Sequence, residues 1–423
     1  MTDRPDHRAA VARRLKQRHA AERRFRLYGV MAIAVAVAFL ALLLGRIIDQ
    51  GHSAFETHSI TLDVPVDASR IDPAYPQGAN YDQMAAEALA ARLSADVRDP
   101  EVARELRDLM SPDLGFQLLA HVRSDPSAIG QTLSIEAPVG DSADLFYKGD
   151  IQREVPEDQR VLSNRQIAWL DQMEDQGLVR SHFNWGLFTR SDSTQPEMAG
   201  LLGAVVGSAL MLMVTALLSI PIGVMAAVYL EEFAPKNRLT EVIEININNL
   251  AAVPSIIYGL LGLAIFIGWM GLPRSSPLVG GVVLSLMAMP TIIIATRASL
   301  KAVPQSIRDA ALALGASRTQ TVFSHVLPLA LPGVMTGAII SMAHALGETA
   351  PLLMIGMVSF VPGVPEGILS ASSALPTQIF IWENAAEAAF HERTAAAILV
   401  LLVFMVVMNA AAIVLRRRLE RRW

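Results

Sequence analysis

The chain has 423 residues, 52 % of them hydrophobic, and a mean hydropathy of +0.38, which is too apolar for an ordinary soluble protein. Its formal net charge is −5 and it has no cysteine, so disulfides, thiol redox chemistry and thiolate metal sites are excluded. None of the four lysines (Lys16, Lys148, Lys236, Lys301) follows a glycine, so the Gly-Lys-Ser/Thr loop that cradles nucleotide phosphates is absent, and ATP hydrolysis by that route would need another polypeptide.

Residues 1–26 hold nine Lys/Arg against three Asp/Glu and form a basic tail. Such a tail before an apolar run reads as a topology signal that touches anionic lipid, and no nucleic-acid partner is expected. The first candidate span, 27–48, is long and no A-x-A-like cleavage site follows it, which favours a retained anchor over a signal peptide. Residues 49–199 carry 26 Asp/Glu and 12 Lys/Arg, a net of −14, and contain no span. They read as an extracytoplasmic insertion long enough for a small α+β domain. Ser163 and Gln166 have capping-box spacing and predict a helix that runs to Gln176 and stops at Gly177. Residues 130–151 read as short strands and turns. The acidic surface is a solvated one, since a phosphate-gathering surface would be basic.

Five more candidate spans follow, at 201–229, 249–270, 278–298, 333–357 and 395–415, each near the ~20 residues a bilayer requires. With the first they predict an all-α polytopic membrane protein of six helices. Pro221, Pro254 and Pro290 predict kinks. The pairs Gly203/Gly207 and Gly333/Gly337 allow close helix approach. Asn246, Asn248 and Asn249 suit capping or interhelical bonds, and Arg297 an interfacial anchor. In the fifth span, AHALGETAPLL places His344 and Glu348 four residues apart, on one face of a helix. His344 lies twelve residues from Pro332, ~18 Å along a helix and near the bilayer middle. A charge there costs ~2.5–3.5 kcal/mol or more, so His344 and Glu348 are candidates to line a pathway, with helix pairing as the alternative. Pro351 is expected to break the helix nearby and free carbonyls for a cavity. His391-Glu392 begins like a metalloprotease helix, but position 395 is Ala and no metal site is expected. The tail 416–423 contains Arg416, Arg417, Arg418, Arg421 and Arg422, and the positive-inside rule puts both termini in the cytoplasm.

Between the fourth and fifth spans, 304–328 contains SIRDAALALGASRTQTVFSHVLP. Ser306 and Asp309 have capping-box spacing, and Ile307, Ala310, Ala311 and Leu314 form one apolar stripe. Gly315 suits a left-handed helix end. Ser317 and Gln320 form a second box, with Val322, Phe323, Val326 and Leu327 as the next apolar face. A helix-turn-helix with an apolar stripe, held at a membrane surface, suits docking by another protein. The segment resembles the coupling loop of ABC-importer permeases, the pattern Glu-Ala-Ala, three residues, Gly, nine residues, Ile-x-Leu-Pro. Here it runs Asp309-Ala310-Ala311, Gly315, His325-Val326-Leu327-Pro328, with Asp for Glu and His325 for Ile.

Further segments resemble the A-type permease subunit of the phosphate-specific ABC importer (the PstA family). They are NNLAAVPSIIYGLLGL at 248–263, GETAPLL at 347–353, LPTQIFIWENAAEAAF at 375–390, and the Arg-rich end after Asn409. The likeness covers 200–423 and the first span; the insertion at 49–199 resembles an extended form. It implies a type I ABC-importer permease fold with its permease domain at 200–415, in a bacterial inner membrane. It also implies a non-catalytic subunit that imports inorganic phosphate, with no cofactor of its own. The implied partners are a homologous C-type permease, a cytoplasmic ABC ATPase dimer that uses ATP and magnesium, and a periplasmic phosphate-binding protein. The coupling residues would be Asp309, Ala310, Ala311, Gly315, Leu327 and Pro328. The family commonly has Arg where this chain has His344, whereas Glu348 matches the pattern. Import of another oxyanion is the alternative within transport. A membrane sensor with an external domain is the alternative from another class, but six spans exceed its needs and no cytoplasmic kinase-sized domain is present.

Overall fold

Residues 7–419 are described by the computed structural model, so Arg4, Arg421 and Arg422 of the two basic tails lie outside the described residues. The chain divides into two units, residues 1–50 and 51–423. The first is essentially α1 (His7–Gly51), one helix of 45 residues in which the described part of the basic tail runs unbroken into the apolar stretch.

The second unit opens with a small α+β domain. Its β1 (Glu56–Pro65) buries Ile60, Leu62 and Val64, every second residue, as a half-covered strand should. These side chains pack on α2 (Tyr81–Leu93), α3 (Pro100–Asp108) and α4 (Asp113–Ser124) through Leu89, Leu106, Leu114 and Leu118. β1 is the centre of a three-stranded antiparallel sheet with β2 (Thr132–Pro138) on one side. Then come α5 (Asp141–Tyr147), α6 (Asn164–Asp175), β3 (Val179–Phe183) on the other edge of β1, and α7 (Gly186–Thr189). The Ser163/Gln166 capping box starts α6, and Gly177 follows it at φ +66°. The strand expected within 130–151 is β2, but 141–147 is helical. That helix is too short to show a period, yet it buries Ala143, Leu145 and Phe146.

The membrane part starts with α8 (Leu202–Val228), which ends in a wide π turn at Tyr229–Phe233. The continuous span expected at 249–270 is instead broken. α9 (Arg238–Leu250) and α10 (Ser255–Leu261, extended as a π helix to Trp269) meet at 103°. Pro254 disfavours helical backbone at the residue before it and supplies no N–H, so the chain turns there. Pro221 and Pro290, by contrast, lie inside unbroken helices, α8 and α11 (Pro277–Lys301). Next come α12 (Gln305–Ala313), α13 (Arg318–Thr321) and a π turn at Val322–Val326. They are followed by α14 (Leu327–Gly347), α15 (Ala350–Met354), α16 (Leu375–Glu383) and α17 (Ala389–Leu419). Among the described residues five helices are long and apolar enough to span a bilayer, and the bent α9–α10 pair is a sixth if counted as one span.

α8, α11 and α14 form the bundle core. A Cβ on Gly281 would lie 2.5 Å from Val214, and one on Gly333 or Gly337 would collide with Ser299 or Ala295 of α11. Gly203 and Gly207 are also tight, but against the loop at Gly363 and Ser372–Ser373 rather than against a helix.

Candidate functional site

The coupling element lies at the end of α8 and α11 remote from the α+β domain, whose Leu187 carbonyl accepts from Leu201 N–H just before α8. α12 starts at Gln305 behind Pro304, so the Ser306/Asp309 box does not form. Asp309 instead accepts from the Gln305 side chain at 3.1 Å. The second box forms: Ser317 Oγ accepts from Gln320 N–H and Gln320 Oε1 accepts from Ser317 N–H. Gly315 sits between the two helices at φ +87°, the left-handed conformation that the sequence calls for.

The predicted apolar stripe is split. Ala311 is buried, and Ile307 is half-buried against a cluster of Val228, Leu300, Val303, Val322, Val326 and Val334 that it packs on. Ala310 is exposed, and Leu312, Leu314 and Phe323 face outward at 48, 90 and 54 % exposure. Leu327 and Pro328 form the half-buried first turn of α14.

The element is fixed to the bundle by ions that sequence reading left scattered. Arg308 Nη2 lies 2.6 Å from Glu232 Oε1 and donates to the Leu300 carbonyl, while Nη1 donates to the Val303 carbonyl at 2.7 Å. Glu231, the next residue along, pairs with Arg297 at 3.3 Å and Lys301 at 3.6 Å. Arg297 also reaches Glu244 of α9 at 2.6 Å. Arg297 is therefore a clamp inside the protein rather than an interfacial anchor. The ends of α8 and α11, the middle of α9 and the start of α12 are held as one piece.

The second candidate pair is together but not as expected. His344 Nε2 is 3.1 Å from Glu348 Oε1. Only His344 is on the helix; α14 ends at Gly347, and Glu348 lies beyond it with extended backbone. Pro351 sits in the first turn of the next short helix, so the break precedes it by three residues. His344 is 68 % exposed and Glu348 18 %, so the carboxylate is tucked under an imidazole that faces open space at the C-terminal end of the helix.

A third cluster was not anticipated. Lys148, which follows the last residue of α5 and is 3 % exposed, holds Asp144 at 2.7 Å and Glu392 of α17 at 2.8 Å. Ser53 donates to Glu392 at 2.9 Å, and His58 contacts Asp144 through both its backbone N–H and Nδ1 at 2.9 Å. Burial would raise the Asp144 carboxyl, but the His58 hydrogen bond and the Lys148 charge overcome it and hold the group below its ordinary value. Arg393 is fully buried and donates to the Ala199 carbonyl at 3.0 Å. Glu197 is buried too, and burial pushes its carboxyl up against a hydrogen bond from Ser111. Arg190 pairs with Asp113 at 3.0 Å. Glu392 is thus committed to joining the α+β domain to the last span, which accounts for the metalloprotease-like His391-Glu392 step. The sequence signal was the run Glu392-Arg393-Thr394 at the start of an apolar helix, together with one lysine in an insertion otherwise basic only through arginine.

Residues 219–423 match the family described as binding-protein-dependent transport system inner membrane component, and residues 12–157 match a domain of unknown function, DUF3333. The chain is 33 % identical over 174 residues to a probable ABC transporter permease protein, YqgI, of Bacillus subtilis, covering 41 % of this chain and 58 % of that protein. It is 35 % identical over 156 residues to the phosphate transport system permease protein PstA 1 of Mycobacterium tuberculosis H37Rv, covering 37 % and 50 %. It is 33 % identical over 171 residues to the phosphate transport system permease protein PstA of Pasteurella multocida, covering 40 % and 60 %. The chain thus spans half to three fifths of the length of these curated relatives. Among solved structures, the inward-facing MetNI methionine ABC transporter is 20 % identical with a TM-score of 0.42, covering 52 % of this chain and 96 % of that one. A bacterial ABC transporter that imports the acidic polysaccharide alginate is 14 % identical with a TM-score of 0.40, covering 52 % and 80 %.

Proposed function

We propose that this chain, a multi-pass membrane protein whose residues 219–423 are a binding-protein-dependent transport permease domain, is the A-type permease subunit of an ATP-driven importer for inorganic phosphate. The observation that carries the permease reading is the Arg308–Glu232 bond, which makes α12 one mechanical piece with the ends of α8 and α11. The relatives named as phosphate permeases support the substrate.

In this reading a cytoplasmic ATPase dimer, which uses ATP and magnesium, grips the outward face of Leu312, Leu314 and Phe323. This chain performs no catalysis and holds no cofactor. ATPase closure displaces α12 and α13, joined by the tight turn at Gly315, as one rigid body, and the clamp at Glu231 and Glu232 passes the displacement to the membrane helices. A homologous C-type permease supplies the other half of the pathway, and a periplasmic phosphate-binding protein delivers the anion beside the α+β domain. His344 and Glu348, at the end of α14, line or gate the pathway. Both termini lie in the cytoplasm: α17 starts beside the α+β domain at Glu392 and runs its Arg-rich end toward the coupling side, where Arg416 bonds Thr336 of α14 at 2.9 Å. Uptake of labelled orthophosphate by cells with and without this chain tests the proposal. Equal uptake in the two strains contradicts it.

A further inference from the structure

An aromatic cluster stands outside everything above. Phe55, Phe183 and Phe188 stack with ring centroids 6.1 to 6.4 Å apart, and Trp185 meets Phe183 edge-on at 4.9 Å. These rings are not a core: Phe183, Trp185 and Phe188 are 46, 69 and 37 % exposed. Three features of the surrounding chain set their level along the bundle. Leu187, between Trp185 and Phe188 in the fold, accepts from Leu201 N–H at 2.8 Å, one residue before α8 starts. The Asn184 side chain donates to the Ala54 carbonyl at 3.0 Å, fixing the β3 end to the start of β1. Ala54 and Leu187 then pack with Leu201, Ala204, Trp382, Phe390 and Ala396, the first turns of α8 and α17 and the end of α16.

The exposed rings therefore lie where the apolar spans begin. Aromatic side chains are favoured at the boundary between headgroups and acyl chains, where one part of the ring system is apolar and the indole N–H stays wet. The geometry points to a lipid-contact shelf: Phe183, Trp185 and Phe188 dock the α+β domain onto the outer leaflet of the bilayer, with lipid as the occupant. The shelf adds a lateral constraint to the axial one from Lys148 and Glu392, so the domain rests on the membrane surface beside the spans.

The absence of cysteine gives a clean background for site-directed spin labelling. Single variants Trp185→Cys, Phe188→Cys and, as an aqueous reference on the exposed surface past the far end of β1, Ala68→Cys would be labelled in the full chain. They would be reconstituted in phosphatidylethanolamine/phosphatidylglycerol vesicles. Collision with oxygen, which concentrates in the bilayer, is compared with collision with a water-soluble nickel chelate. The expected result is an oxygen-to-nickel ratio several-fold higher at 185 and 188 than at 68. A ratio at 185 and 188 equal to that at 68 places the rings in water and overturns the inference. Low collision with both reagents places another protein surface on the rings and overturns it equally.

Discussion

Arg308 on the first coupling helix and Glu232 at the end of α8 share a hydrogen-bonded ion pair of 2.6 Å, and the same guanidinium caps the Leu300 and Val303 carbonyls at the end of α11. One planar side chain with several donors thus joins three elements, which a lysine ammonium on a flexible stem does not reproduce. Removing one partner of such a buried pair costs roughly 3–5 kcal/mol. Arg308→Ala and Arg308→Lys are expected to lower the number of phosphate ions moved per ATP hydrolysed, with alanine the worse. Glu232→Gln, which keeps an acceptor, should be milder than either. A normally accumulating Arg308→Ala protein with wild-type stoichiometry would remove the clamp from the mechanism.

Gly315 stands at φ +87° with open space where a Cβ would point, so a substitution there meets only backbone strain. That strain is ~1–2 kcal/mol for most residues and less for asparagine, which visits the left-handed region more readily. Gly315→Val is expected to insert and assemble normally, to hydrolyse ATP, and to lose most uptake, whereas Gly315→Asn retains more. Wild-type uptake by a well-expressed Gly315→Val protein would sink the coupling-loop assignment.

Lys148 pairs with two buried carboxylates, Asp144 and Glu392. Because the folded Asp144 carboxyl sits below its ordinary value of 3.8, its contribution to stability is present above about that pH and lost as the pH falls through the lower folded value. Lys148→Met leaves Asp144 buried without its cation, and burial then favours its protonated form. The stability deficit of the variant should be largest near pH 7 and should shrink toward pH 4. Thermal melts in detergent across that range check the sign; a deficit that is constant or grows on acidification contradicts the pairing.

His344 and Glu348 meet across the end of α14 at 3.1 Å. Glu348→Gln keeps the shape and removes the charge, so a pathway or gating role predicts a several-fold change in initial uptake at normal membrane levels. A role limited to packing predicts silence for Glu348→Gln and reduced stability for Glu348→Ala. His344→Arg, which keeps a cation beside the carboxylate, should retain uptake. An unchanged rate in Glu348→Gln together with lost uptake in His344→Arg would withdraw both residues from the pathway.

Much of this architecture was legible because it is local. Hydropathy gives α8 and α11 almost to their ends and the apolar middle of α17, and Ser163, Gln166, Gly177, Ser317, Gln320 and Gly315 announce their caps and turn. The break of the third span was only half visible. Pro254 predicts a kink, but the 103° turn that makes α9 a separate helix depends on packing such as Glu244 on Arg297. The stripe on α12 was misread because Ile307, Ala311 and Leu314 share a helical spacing, while only the surrounding cluster decides which of them faces inward. The junction was least legible. An insertion with net charge −14 looks like a separable, solvated module, and the bond from Lys148 to Glu392 crosses 244 residues of sequence. Long-range ion pairs leave no periodic trace.

The most direct test of the central claim is transport by a reconstituted complex. This chain, a C-type permease and the ATPase dimer are placed in liposomes, with phosphate-loaded binding protein outside and ATP inside. The account predicts orthophosphate accumulation that requires all the components and collapses with Gly315→Val while ATP hydrolysis continues. Phosphate accumulation that proceeds without this chain, or accumulation of another oxyanion with none of phosphate, would contradict it.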